Sequence, residues 1–357
     1  MKKIMFIIPF LSSGGAERVV SIWTSELAKL GADTHLLVFY RVEGEYPIDE
    51  GVTVHAIKEN KDQYNKMSKF EKIKLLRGKL KKINPDVIIP FISHVGIMTN
   101  IARVGLKTKM IETIRIDPKY SPKNKILRLI RNISVLLSNS CIVQNEDQKN
   151  YFPKCIQKKT HVFSNPISDE FIQAERIISN SGIHSITAVG RLENQKNYKM
   201  LIKTFSKLSN VDLTLNIYGD GSLKGELQSL INDLGLSTRI NLWGRSNNIK
   251  DVFINTDLFI LSSNAEGMPN SLMEAMAVGI PCISTDCPTG PSDIIDNKIN
   301  GVLIPINNEE ALVSAINNMI NNPKEAYMMG KKAKEKMKNN YSAAVSAKKL
   351  LRFLNEI

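Results

Sequence analysis

Cysteine is scarce in these 357 residues: Cys141, Cys155, Cys282 and Cys287 are the full set, and none stand in Cys-x-x-Cys spacing. The pattern supports neither a disulfide framework nor a zinc site, and favours small buried apolar side chains. Aromatic residues make up only 6%. That is poor material for the basic and aromatic surface of a nucleic-acid binder, so no nucleic-acid partner is expected. No apolar run approaches the roughly 18 residues of a membrane-spanning helix. The opening Met-Lys-Lys-Ile-Met-Phe-Ile-Ile-Pro-Phe has the charge of a signal peptide, but too short an apolar core and no small-residue cleavage site. It reads as a first strand, and a cytoplasmic protein is expected. Asp-x-Asp occurs nowhere, so a carboxylate-bound divalent metal has no obvious support; no cofactor is expected. Gly-x-Gly-x-x-Gly and Gly-x-x-x-x-Gly-Lys-Ser/Thr are also missing, which weighs against an ordinary dehydrogenase or P-loop enzyme.

What is present is ordinary globular composition, 43% hydrophobic and 23% charged, with an uneven charge. Residues 1–170 hold 28 Lys and Arg against 17 Asp and Glu, whereas residues 171–357 hold 20 against 18. Most of the net +13 therefore lies in the first half. Such an excess suits a membrane surface, phosphates or another anion.

Short apolar runs alternate with helical patterns along the chain. Strands are predicted at Lys3–Pro9, Thr34–Phe39, Val52–Ile57, Asp86–Phe91, Lys109–Glu112 and Ser140–Gln144. A second series follows at Ser185–Val189, Asp212–Tyr218, Arg239–Leu242, Asp257–Leu261, Pro281–Ser284 and Gly301–Ile304. Apolar strands separated by helices indicate parallel sheets covered on both faces. Two doubly wound α/β domains, with a cleft between them and a linker within Asn165–Ser185 (Pro166, Asn180, Ser181, Gly182), are the predicted architecture.

In such sheets ligands bind beyond the carboxyl ends of strands. Ser12-Ser13-Gly14-Gly15-Ala16-Glu17-Arg18 follows the first strand. Its Gly14 and Gly15 read equally as an anion loop at a helix N-terminus and as a tight turn. After the first strand of the second half, Gly190-Arg191-Leu192-Glu193-Asn194-Gln195-Lys196 places two cations five residues apart. They could neutralise a diphosphate without metal, though taken alone they read rather as solvated surface charges. Tyr218-Gly219-Asp220-Gly221 ends the next strand. The most informative segment is Ala265-Glu266-Gly267-Met268-Pro269-Asn270-Ser271-Leu272-Met273-Glu274. Glu266 is placed in a loop and Glu274 in a helix eight residues on, a spacing of just over two turns that lets both carboxylates face one side. An exposed loop acid and a solvated helix acid are the bland alternative.

Taken together, these motifs resemble retaining glycosyltransferase family 4, over about residues 1–340, in the variants of enzymes that build bacterial capsules, O-antigens and lipid-linked glycans. The resemblance implies a GT-B fold of two Rossmann-like doubly wound domains facing a central cleft. Residues 1–168 would be the acceptor-side domain, 169–340 the donor domain, and 341–357 a helix crossing back to the first. It implies that Arg191 and Lys196 neutralise the donor diphosphate, Glu266 contacts the sugar and Glu274 holds the ribose hydroxyls. Gly190, Gly219, Gly267, Met268, Pro269 and Asn270 would complete the donor site, and Gly14 and Gly15 would approach the phosphate or the acceptor side. On the acceptor or sugar side the matching positions are Glu112 and Arg115, with His94 the nearest counterpart of the family's first-domain histidine in a poorly matching context. The implied reaction moves a sugar, with retention and without metal, from a nucleotide-sugar (UDP-HexNAc or UDP-hexose) to a hydroxyl of an undecaprenyl-diphosphate-linked glycan. A nucleotide-sugar epimerase of the same architecture and a non-catalytic nucleotide-sugar binder are the competing readings.

Two helical stretches bear on location. In Lys123–Leu137, Ile126, Ile130, Ile133 and Leu137 recur on one face and Lys125, Arg128 and Arg131 on another; Ser68–Lys82 sets Phe70, Ile73, Leu76 and Leu80 against Lys69, Lys72, Lys79 and Lys82. With the basic first half, they give the expectation of peripheral attachment to anionic lipid on the inner face of the cell membrane.

Overall fold

The computed structural model describes residues 2–357 except Ser13, Tyr120, 177–181, Val211 and Asn247. Ser13 of the first glycine loop and the predicted linker residues Asn180 and Ser181 thus lie outside the described residues. The chain divides into two units, one of Met1–Pro166 with Ala343–Ile357 and one of Ile167–Ser342.

Among the described residues the first unit holds seven strands: β1 (Lys3–Ile8), β2 (Asp33–Tyr40), β3 (Thr53–Lys58), β4 (Val87–Pro90), β5 (Lys109–Thr113), β6 (Ser140–Val143) and β7 (Thr160–Val162), in sheet order β3-β2-β1-β4-β5-β6-β7. Every pairing is parallel. The second unit holds β8 (Ser185–Val189), β9 (Thr214–Tyr218), β10 (Ile240–Gly244), β11 (Leu258–Leu261), β12 (Cys282–Thr285) and β13 (Val302–Ile304), all parallel in the order β10-β9-β8-β11-β12-β13. Central strands such as Phe6-Ile7-Ile8 and Leu258-Phe259-Ile260 are buried on both faces, which is why they read as unbroken apolar runs. In each sheet the winding reverses beside its first strand, between β1 and β4 and between β8 and β11. Those reversal points are where open α/β sheets take ligands.

Helix Ala343–Glu356 belongs to the first unit. It buries Leu350 and Leu354 in that unit's core, and Trp23 Nε1 donates to Ser346 Oγ at 2.8 Å. Each fully buried leucine contributes about 1.5–3 kcal/mol, enough to hold the helix there.

Three expectations need correction. Cys155 is exposed, unlike the buried Cys141, Cys282 and Cys287. In helix Lys69–Ile83, capped reciprocally by Ser68 and Glu71, Leu76 and Leu80 are buried but Phe70 is 75% exposed, because only one narrow stripe meets the sheet. The third correction is an inversion. In helix Lys125–Leu137 Arg131, set with Lys125 and Arg128 on a basic face, is completely buried, while Ile126, Ile130, Ile133 and Leu137 of the apolar face are exposed. Arg131 turns inward because carbonyls await it: its Nη1 donates to Pro118 O at 2.8 Å and to Ser121 O, and its guanidinium lies 5.3 Å from the Phe152 ring. No helix among the described residues is long and apolar enough to cross a membrane.

Candidate active site

In the second unit four loops meet at the carboxyl edge of the sheet. The β8 loop carries Arg191 and Lys196, and a one-turn 3-10 helix, Asn194–Lys196, leads into helix Tyr198–Ser206. It is tied to the β11 loop by backbone and side chain: Asn264 N–H donates to Gln195 O at 2.8 Å, Gln195 Nε2 to Ala265 O at 2.7 Å, and Ser262 Oγ to Lys196 O at 2.7 Å. The β12 loop closes from the other side, with Glu266 N–H donating to Pro288 O at 2.9 Å and Thr289 Oγ1 to Glu266 O at 3.0 Å. The β9 loop packs beneath the first. At Gly219, with φ +146°, a Cβ would stand 1.9 Å from Gly190 O, so only glycine fits.

These contacts bring two of the predicted residues into direct contact. Lys196 Nζ donates to Glu266 Oε1 at 2.7 Å, and both side chains are largely buried. The same oxygen accepts from Ser263 Oγ at 2.6 Å. Two cationic and carboxylate groups removed from water in this way repay their desolvation only when the geometry is good, and breaking the pair strands a charge. Tyr198 adjoins the pair; burial, then the Glu266 charge, push its phenol well above the usual range. The Cys287 thiol is pushed up to about 12 by burial and by the same carboxylate. Arg191 is exposed, free to turn toward a ligand. Glu274 sits on the second turn of helix Asn270–Val278 and is buried. Gly267 and Pro269 hold the turn into that helix, which Asn270 begins, but Met268 packs its side chain into the apolar core beneath. Only the backbone of Met268 is left to meet a ligand.

In the first unit the glycine loop, His94 and Arg115 all lie just past strand ends. Gly14 caps helix Gly15–Lys29, and the carboxylate of Glu17 folds back so closely that a Cβ on Gly14 would meet it at 2.0 Å. Burial raises the pKa of Glu17. An anion at this helix end would face that carboxylate, a feature the glycine pattern concealed. His94, second residue of helix Ser93–Ala102, is exposed, and desolvation by its surroundings lowers its pKa. The Arg115 guanidinium lies 4.5 Å over the Trp23 ring and 4.8 Å over Phe91, with Nη1 donating to Asn165 Oδ1 at 3.2 Å. Burial pushes its pKa down to about 9, so it stays charged at neutral pH.

Glu112 departs from the expectation of a ligand-facing loop acid. It lies within β5, wholly buried, with Oε2 accepting from Ser134 Oγ at 3.1 Å and Oε1 pressed against Gly96. Burial pushes its pKa up to about 8. Glu112 already closed the predicted strand Lys109–Glu112, and its side chain falls on the buried side of β5, against Gly96 and Ser134. Sequence reasoning also missed Ser263, Tyr198 and Thr289. Ser263 stands in the motif loop beside Glu266 and could have been found there, while Tyr198, the first residue of an amphipathic helix, carries no motif signal.

Residues 172–336 match the family model described as Glycosyl transferases group 1. Over 95% of its length the chain is 29% identical to a Campylobacter jejuni enzyme, covering 94% of that enzyme. Its name is GalNAc-alpha-(1->4)-GalNAc-alpha-(1->3)-diNAcBac-PP-undecaprenol alpha-1,4-N-acetyl-D-galactosaminyltransferase. A second enzyme of that organism, N-acetylgalactosamine-N,N'-diacetylbacillosaminyl-diphospho-undecaprenol 4-alpha-N-acetylgalactosaminyltransferase, is 28% identical, with 95% of each chain covered. Among solved structures, Anabaena HepE in complex with UDP and glucose superposes with a TM-score of 0.81 at 17% identity, over 100% of both chains. The fold is therefore GT-B, built of two Rossmann-like units.

Proposed function

We propose that this glycosyltransferase moves a sugar from a UDP-sugar, a HexNAc or hexose donor, to a hydroxyl of an undecaprenyl-diphosphate-linked glycan, with retention of configuration. The observation that carries the reading is the Lys196–Glu266 contact, which joins the cationic loop after β8 to the glutamate loop after β11 at the sheet's reversal point. Bond cleavage leaves positive charge on the sugar and negative charge on the departing diphosphate. Arg191 and Lys196 would meet the second charge, and preorganised charges of this kind are worth about 10²–10³ in rate each. Glu266 would hold the sugar, with Ser263 and Lys196 fixing its orientation, and Glu274 would accept from the ribose hydroxyls. The pair is not a glycosidase acid and nucleophile; instead the diphosphate would take the acceptor proton as the new bond forms on the face it leaves. Gly14 and Gly15 fit the acceptor hydroxyl better than a phosphate, because Glu17 already occupies that helix end. The acceptor chemistry is supported by the lipid-diphosphate substrates in the names of the Campylobacter relatives, and it would place the protein peripherally on the inner membrane face.

The test is a melting-shift screen of UDP-, GDP- and dTDP-sugars, since the true donor stabilises the folded state with the logarithm of its excess over Kd. Acceptor trials follow on wild type, Arg191→Ala and Lys196→Ala. Loss of about 10²-fold or more in turnover for both variants is expected. Folded variants with unchanged turnover would refute the assignment.

A further inference from the structure

A helix of an α/β unit ordinarily buries its apolar stripe. Helix Lys125–Leu137 buries Arg131, Ser134 and Val135 instead. Toward water it presents Ile126, Leu129 and Leu137, which are 68, 60 and 63% exposed, with Leu127, Ile133 and Leu136 at 46–47% beside them. A single exposed leucine needs no explanation, whereas a continuous apolar face marks something that covers it. The face continues onto helix Ser93–Ala102, where Ile101 is exposed and, just beyond, Val104. That helix is bound to this one by Asn100 Nδ2 donating to Ser134 O at 3.0 Å and by Arg103 donating to Leu137 O at 2.6 Å.

Charge identifies the occupant. Between Pro118 and Asn145 there is no Asp or Glu, and Lys119, Lys123 and Lys125 stand exposed at the head of the helix. A second copy of the chain would set the same acid-free segment against Lys123 and Lys125. An anionic bilayer satisfies both features, taking the apolar side chains among its acyl chains and the lysines on its phosphates. We propose that helix Lys125–Leu137 is the membrane-docking element of this protein, lying in the plane of an anionic lipid surface with its Ile and Leu side chains inserted. The proposal deepens the lipid-linked acceptor reading and rests on it for its purpose, but the geometry stands alone.

The test is sedimentation of the full-length protein with phosphatidylcholine vesicles, with and without phosphatidylglycerol, in the absence of donor and acceptor. Wild type should bind the anionic vesicles, bind neutral ones weakly and be released at high salt. An Ile126→Asn, Leu129→Asn double variant should lose at least about tenfold in partitioning, since two inserted side chains are removed. A Lys123→Glu, Lys125→Glu variant should lose the preference for anionic vesicles. Both pairs are exposed, so melting temperatures should match wild type. Wild type left in the supernatant at low salt, or an apolar variant that binds undiminished, would overturn the proposal. So would a wild-type dimer, seen by analytical ultracentrifugation, that the apolar variant abolishes. Sugar transfer to a water-soluble acceptor separates the two readings: vesicle binding without any transfer would sink the enzymatic reading alone, and transfer without vesicle binding would sink this one alone.

Discussion

Replacing Glu112 by Gln should stabilise the first unit at alkaline pH and give no gain at pH 5. In the folded unit the carboxyl keeps its proton up to about 8, whereas the unfolded chain gives it up from 4.5. Between those values the folded state holds a proton that the unfolded state has lost. Stability must therefore fall as pH rises through this window and level off above it. At 1.36 kcal/mol per pH unit, the span sets a ceiling of about 5 kcal/mol. The amide carries no such cost and still accepts from Ser134 Oγ, but its N–H groups beside Gly96 find no acceptor in place of the unpaired Oε1, a loss of about 1–3 kcal/mol. A net gain of about 2–4 kcal/mol at pH 9 remains. For a unit of this size that raises the melting temperature on the order of 10 °C. Scanning calorimetry of both proteins from pH 5 to 9 reads the effect as a difference that grows with pH. A constant offset across the range would mean that the folded carboxyl ionises normally, and the burial argument would fail.

Further outcomes follow from the second unit. Glu266→Gln keeps a hydrogen-bonding group toward Ser263 and Lys196, so it should retain nucleotide affinity while turnover drops about 10²-fold or more; titration calorimetry and turnover on the same sample check this. Glu274→Gln should weaken nucleotide binding about tenfold through a lost charge-assisted hydrogen bond, and equal affinity and catalysis across wild type and both variants would leave the two carboxylates without a role. Turnover should survive EDTA, because cationic side chains are assigned to the diphosphate; a complete loss restored by divalent metal would require another phosphate-binding scheme.

The strands with long apolar runs were legible because parallel sheets bury both faces of each strand. Strand β7 was not, since His161 is exposed and Val162 only half-buried. Helix Pro323–Tyr341 also escaped notice, for a different reason. Its buried stripe is Ala326, Gly330, Ala333 and Met337, mostly small residues that leave no large apolar signal. Helix Ser93–Ala102 begins at Ile92, which has φ +75° and no side-chain cap, so no start signal precedes it. In the site, Arg191, Lys196 and Glu266 were readable from motif and strand-end position together. The inward turn of Arg131 was not, because periodicity names the faces of a helix without saying which one the carbonyls of Pro118 and Ser121 will claim.

The measurement that bears most directly on the account is UDP release from a UDP-HexNAc or UDP-hexose donor, followed with and without a prenyl-diphosphate-linked glycan acceptor. Release should depend on the acceptor, one UDP for each sugar added, with the new linkage in the donor's anomeric configuration. Conversion of the donor to its epimer without acceptor, or no release with any donor that shifts the melting temperature, would contradict it.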